Sequence, residues 1–282
     1  MIKFGQSGNS FLYGEAGFND SLHSAKWAKE MGLDCFEYSF GRGVNLSKQK
    51  AEIIGKSFKN EGVELSVHAP YFINFAGLDE EKIQNSYGYV LDSIEYAKIM
   101  GAKRVVFHPS TQGKLTRDEA VNLTKERLQI LADKIYERGY GDMLVCPETM
   151  GKSAQIGTPL EIAEFCTIAP FYVPCIDFGH VNARTNGSLK TVQDYLDVLN
   201  LTESVAGRDK LEKLHIHFSK IMYTQKGEVK HLTFDGDDFY GPDYEPMLQA
   251  LKIKNLEPYI VSESAGTQDI DAKAMKTYYF SL

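Results

Sequence analysis

Short apolar runs alternate with longer stretches in which apolar residues recur every three or four positions, and the pair repeats eight times along the chain. The short runs, rich in β-branched and aromatic residues, fall at 2–5, 35–40, 64–68, 104–108, 144–148, 173–177, 213–218 and 259–263. Each has the length and composition of a buried strand. Helical spacing covers 21–31, 47–61, 80–100, 117–138, 159–168, 191–201, 244–251 and 269–278. In the third of these, Ile83, Tyr87, Val90, Leu91, Ile94 and Ala97 predict a single buried helix face.

Several boundaries carry a physical marker. Thr116 and Thr158 are placed as helix N-caps, the second followed by Pro159 at the first helical position. Gly32, Gly62 and Gly101 stand where a helix end wants a left-handed residue. Eight strand–helix pairs without linker or low-complexity tract predict one α/β domain over residues 1–282, a (β/α)₈ TIM barrel. A doubly wound open sheet is the alternative. It is disfavoured because Gly5-Gln6-Ser7-Gly8 lacks the third glycine and the helix start of a phosphate loop. Residues 219–243 read as a long functional loop after the seventh strand, carrying His231 and three lysines, Lys220, Lys226 and Lys230.

Composition narrows the class. With 43% hydrophobic and 24% charged residues, 282 residues can bury a large core and are not a disordered polyelectrolyte. The net charge of −7 argues against attachment to nucleic acid by bulk positive charge, but leaves room for a local basic groove. Four cysteines (Cys35, Cys146, Cys166 and Cys175) show no CxxC spacing and mostly sit in apolar runs, which fits a reduced, cytoplasmic setting. The opening residues lack a signal peptide's apolar stretch, and no run approaches the ~20 apolar residues of a membrane span. A soluble protein is expected.

The histidines change the picture most. His68 and His108 end the third and fourth strands, His215 and His217 lie in the seventh, His180 follows the sixth, and His231 falls in the loop after the seventh. Only His23 is elsewhere. Six of seven therefore lie toward the barrel face on which active sites are built. Glu148, Asp177 and Glu263 end the fifth, sixth and eighth strands at matching heights. Buried carboxylates are costly unless paired or metal-bound, and imidazole with bridging carboxylate is a ligand set for zinc, with manganese or iron as alternatives. Period-two alternation sends His215 and His217 to the same face. Two or three metals bridged by one carboxylate suit in-line phosphoryl displacement.

Taken in order, Ser66-Val67-His68-Ala69-Pro70-Tyr71-Phe72-Ile73-Asn74, Val106-Phe107-His108-Pro109, Pro147-Glu148-Thr149, Asp177-Phe178-Gly179-His180 and Leu214-His215, with His231 and Glu263, resemble the endonuclease IV family of abasic-site endonucleases, within the xylose-isomerase-like barrels. The resemblance implies three zincs. His68, His108 and Glu148 would hold the first; Glu148 would bridge to the second, completed by Asp177, His215 and Glu263; His180 and His231 would hold the third. The family also uses an Asp two residues before the last His, where this chain has Val229. Either His217 or Glu228 substitutes, or the third site is weak or empty. The family's Asn-Asp pair after His215 is replaced by His217-Phe218. Tyr71 and Phe72 resemble residues near the duplex at the lesion, Arg42 resembles an arginine inserted after the second strand although the family's longer motif there is not preserved, and Lys220 is a candidate phosphate contact.

The resemblance implies hydrolysis of the phosphodiester 5′ to an abasic site in duplex DNA by a monomer, with Glu148 and Glu263 positioning or deprotonating the water. A sugar or sugar-phosphate isomerase or epimerase on the same fold is the alternative, with those two carboxylates as its acid–base pair. His68 together with His108 discriminates, because a one-metal carbohydrate site has less need of both. A metal- or DNA-binding module without catalysis is the third reading.

Overall fold

The computed structural model describes residues 1–236 and 239–282. Eight strands run parallel: β1 (Lys3–Ser7), β2 (Cys35–Ser39), β3 (Glu64–His68), β4 (Arg104–Phe107), β5 (Leu144–Pro147), β6 (Cys175–Asp177), β7 (His215–Phe218) and β8 (Tyr259–Ser262). Their order around the sheet is β5-β4-β3-β2-β1-β8-β7-β6, each paired to its neighbour. The two end strands meet through isolated bridges, Val145 to Tyr172 and Glu148 to Cys175, so the sheet curls into a nearly closed TIM barrel.

Alternation divides each strand between helix side and barrel interior. In β2, Phe36 faces outward and packs on Phe58 of the helix Lys48–Glu61, ring centroids 5.1 Å apart, while Glu37 points inward. Helix Glu80–Met100 buries the face expected of it. Thr116 and Thr158 both make reciprocal capping boxes, with Glu119 and Glu161. Gly62 and Gly101 cap their helices at φ of 68° and 76°. The floor of the barrel is plugged by Arg104, whose guanidinium donates to Lys213 O at 2.5 Å and lies 4.4 Å from the centroid of the Tyr259 ring.

Two expectations need correction. The stretch 21–31 is helical only over Ser24–Glu30, after a separate short helix at Phe11–Glu15. The segment 219–243 is not simply a loop: Ile221–Thr224 and Gly227–His231 pair as an antiparallel hairpin, while residues 237 and 238 lie outside the described residues. Apolar residues on both sides of a glycine-containing turn were available to pair, and the hairpin gains a docking strip against the loop after β5. Among the described residues no helix is long and apolar enough to cross a membrane.

Candidate metal centre

The C-terminal ends of the strands deliver most of the expected side chains to one place. Glu148, immediately after β5 and fully buried, is its centre. One carboxylate oxygen, Oε2, lies 3.2 Å from His68 Nε2 and 3.2 Å from His108 Nε2. The other, Oε1, lies 3.2 Å from His217 Nδ1 and 3.2 Å from His180 Nδ1. Donor atoms fall into three adjoining sets: His68, His108 and Glu148; Glu148, Asp177, His217 and Glu263; and His180, Glu228 and His231.

Local structure presets these side chains. His68 directs Nδ1 to Ala69 O at 2.8 Å, leaving Nε2 for the centre. Asp177 caps the helix Phe178–Arg184: its Oδ1 accepts from His180 N at 2.7 Å, while Oδ2 is buried with no hydrogen-bond partner. Such an orphaned acceptor beside imidazoles fits a cation. His180 Nδ1 lies 3.0 Å from Thr149 O and its Nε2 3.5 Å from Glu228 Oε2. His231 Nδ1 is 2.8 Å from Ser219 Oγ, which leaves its Nε2 for the same corner.

The third set depends on an irregularity. Met222 pairs with Lys230 and Tyr223 with Glu228, so Val229 is an extra residue in the hairpin. Residues three apart on a regular strand face opposite ways; the bulge brings Glu228 and His231 to one side. Val229 itself is 49% exposed, so Glu228 rather than Val229 stands beside His180 and His231. Two glycines make room. A Cβ on Gly151 would come within 2.6 Å of Glu228 Cβ and 2.9 Å of His180 Cδ2, and one on Gly227 (φ 91°) within 2.1 Å of Gly151 O. Arg184, from the helix that carries His180, clamps this loop by donating to the carbonyls of Met150, Lys152, Ser153 and Gln155.

His215 does not reach the rim. Asp177 pairs with His217 and Cys175 with His215, so His217 is level with Asp177 and His215 is one layer deeper. There its Nε2 lies 3.2 Å from Glu37 Oε2. Both histidines face inward as alternation requires, but the motif match assigned the wrong one of the pair to the rim. His217 joins Glu148, Asp177 and Glu263, not the third set. Glu37 and its inward parity on β2 were missed altogether.

The charges offset one another. Burial favours a neutral Glu148, yet His217 and His108 hold its carboxyl well below the usual range. Burial works against protonation of His180, yet Asp177 and Glu148 carry it up to about 10. His68 and His217 are raised in the same way against burial, by Glu148 and by the carboxylates and Cys175 around the seventh strand respectively. Burial raises Asp177 and pushes His215 down to about 4. So dense a set of buried acids and bases fits divalent ions, which satisfy carboxylate and neutral imidazole together.

Above the centre lies a 510 Å³ cavity bordered by Ser7, Ser39, Tyr71, Lys152, Ser264 and Gln268 as well as the rim ligands. Tyr71, 55% exposed, sits 5.8 Å from the His68 ring and 6.0 Å from the His108 ring, its hydroxyl 3.2 Å from Ser39 Oγ. Phe72 turns away into a neighbouring groove with Leu78 and Tyr89. Arg42 is exposed on the turn whose Gly41 O accepts from Tyr71 N. Lys220 is directed to Asp243, 3.9 Å away, rather than into the cavity. Lys152 is the cation that borders it, and was not anticipated.

Comparison with known proteins identifies the family and the fold. The family model described as xylose isomerase-like TIM barrel matches residues 25–277. An uncharacterized protein of Methanocaldococcus jannaschii is 30% identical over 273 residues, 95% of this chain and 96% of that protein. A probable endonuclease 4 of Staphylococcus epidermidis is 25% identical over 235 residues, 78% of this chain and 76% of its own length. Among solved structures, endonuclease IV from Thermus thermophilus superposes with a TM-score of 0.72 at 17% identity, covering 99% of this chain and 100% of that one. A D-tagatose 3-epimerase-like protein gives 0.74 at 18% identity, covering 99% and 97%; at these identities both show the fold. The chain belongs to the xylose isomerase-like TIM barrel family, as a divergent member with endonuclease IV among its relatives.

Proposed function

We propose that this protein is a metal-dependent phosphodiesterase that incises DNA on the 5′ side of abasic sites, with two to three divalent ions, zinc foremost, at the rim. The observation that carries this reading is the division of Glu148: one oxygen serves His68 and His108, the other His217 and His180. A carboxylate so placed would hold a metal on either side. Bound ions would supply Lewis acidity to the phosphoryl oxygens and lower the pKa of a water.

The chain's own groups divide the remaining work. Glu148 has no solvent exposure and is enclosed by four imidazoles, so it holds the ligand sets in place. Glu263, 18% exposed and opening on the cavity, is the carboxylate placed to take a proton from an attacking water. Lys152 meets phosphate, and Tyr71 offers a ring face to the sugar or base beside the lesion.

One observation favours a sugar epimerase instead: Glu148, Asp177, His217 and Glu263 alone make a one-metal site of three carboxylates and one imidazole. That reading leaves His68 and His108 without a task. The deciding experiment incubates the metal-loaded protein with a duplex carrying one abasic site, and in parallel with ketoses. Incision that leaves a 3′-hydroxyl and stops with chelator is expected. Intact duplex alongside metal-dependent ketose turnover would replace this reading with the epimerase.

A further inference from the structure

Beneath the rim the barrel interior is usually filled by branched apolar side chains. Here that layer holds Glu37 from β2, Cys175 from β6 and His215 from β7, with the lower edge of His217 above them, all without solvent exposure. The donor atoms of Cys175, His215 and His217 lie within 4.8 Å of one another. Glu37 Oε1 is 2.9 Å from His217 Nε2, and Oε2 is 3.2 Å from His215 Nε2. Ser66 Oγ donates to Oε2 at 2.8 Å and fixes the carboxylate.

The orientation of these groups matters more than their proximity. Despite the short separations, Glu37 Oε1, His217 Nε2 and both ring nitrogens of His215 have no hydrogen-bond partner among the described residues. Buried polar atoms that crowd together without hydrogen-bonding are unusual, and an ion is one of the few explanations. Ligands about 2.0–2.3 Å from one centre lie roughly 3–4 Å from each other and aim at the ion, not at their neighbours.

We propose that Cys175, His215 and the inward Nε2 of His217 form a second, enclosed metal site under the rim that takes a zinc-like divalent ion, with the Glu37 carboxylate beside the two imidazoles. Coordination releases the Cys175 thiol proton to water, so thiolate and Glu37 carboxylate together cancel the charge of the ion, and a neutral cluster replaces a buried unpaired one. His217 then serves two ions as an imidazolate, its ring proton also released to water and its negative charge shared between the inner ion and the rim ion, tying the inner site to the rim. The inner site has no opening for substrate, so it is structural, and its ion is taken up as the barrel folds.

The inner site is the only candidate metal set with a sulfur donor among the described residues, which separates it from the rim reading. Protein produced in cobalt-supplemented medium is expected to show a thiolate-to-cobalt charge-transfer band in the near ultraviolet. Cys175→Ser should lose that band and one metal per chain while keeping the visible cobalt bands of the rim, and Cys146→Ser should keep all of them. His231→Ala should lose rim metal and keep the charge-transfer band, so failure at the rim and failure of the inner site have different signatures. A fully cobalt-loaded wild-type protein without the band, or an equal metal count in wild type and Cys175→Ser, overturns the proposal. Should Cys175→Ser fail to fold, X-ray absorption of the wild-type zinc protein decides instead: one sulfur neighbour is expected, and its absence overturns the site.

Discussion

The two outer corners of the rim are built in contrasting ways. The His68–His108 corner uses residues at or just beyond the ends of adjacent strands, and little besides the strand register is needed to bring them together. The His180–Glu228–His231 corner is assembled from a helix cap, a bulged hairpin and a glycine loop clamped by Arg184. The first is as rigid as the sheet. The second is a tertiary construction, so it should be the corner that loosens first when its supports are removed.

The largest effect should come from the residue the corners share. Glu148→Gln keeps the volume but removes the bridging charge, and is expected to empty both neighbouring rim sets and lower incision at least ~10³-fold, with metal count and incision as readouts. A variant that retained full metal would show the corners to be independent of their bridge.

Next come changes to the bulge. Glu228→Ala should empty the third set alone, with elemental analysis falling by one ion. Adding Val229→Asp to that variant should not restore it, because position 229 points outward. Deleting Val229 should preserve the third ion, since Glu228 and His231 then share a face at regular spacing. Recovery of the ion by Val229→Asp would mean that the hairpin takes the regular register.

A smaller effect is expected from Arg184→Ala: a weakening of the third ion by roughly 10–100-fold in chelator competition, the His68–His108 corner being unchanged. Equal weakening at both corners would contradict their separate construction.

The smallest concerns stability in acid. Arg117 pairs with Glu161 at 2.6 Å and donates to Gln155 O, bracing the same loop. Burial works to raise the Glu161 carboxyl, but Arg117 and the amides of Thr158 and Gly157 lower it below 4.5. A depressed carboxyl contributes stability above its unfolded pKa and loses it as pH falls through the lower folded value. Glu161→Gln should therefore cost about 1.5–3 kcal/mol at neutral pH. The gap in Tm from wild type should narrow as pH falls below the ordinary carboxyl range and close once Glu161 is protonated in the folded protein as well. A gap that persists in acid would assign the loss to shape rather than charge.

This contrast also explains what the sequence alone could tell. The barrel and the His68–His108 corner were legible because strand parity and strand ends are properties of consecutive residues. His215 and His217 share parity, and only the pairing of β6 with β7 decides which one stands level with Asp177. Glu228 was recognisable as one of two substitutes for the missing Asp, but a bulge leaves no reliable periodic trace. Glu37 had a signal that went unused: an acid on the inward parity of Cys35–Ser39, between outward Phe36 and Tyr38. Arg184 and Gly151 act through long-range contacts that no local pattern records.

The seam between β5 and β6, held by the isolated bridges at Val145 and Glu148, has a consequence for folding. Its two lips carry Glu148 on one side and Cys175 and Asp177 on the other, so an ion at the rim would fasten the barrel as a clasp fastens a hoop. Each ion held at a hundredfold excess over its Kd would add about 2.7 kcal/mol against opening there. Metal supply would then govern how much closed barrel a cell contains, and not only how fast each molecule works.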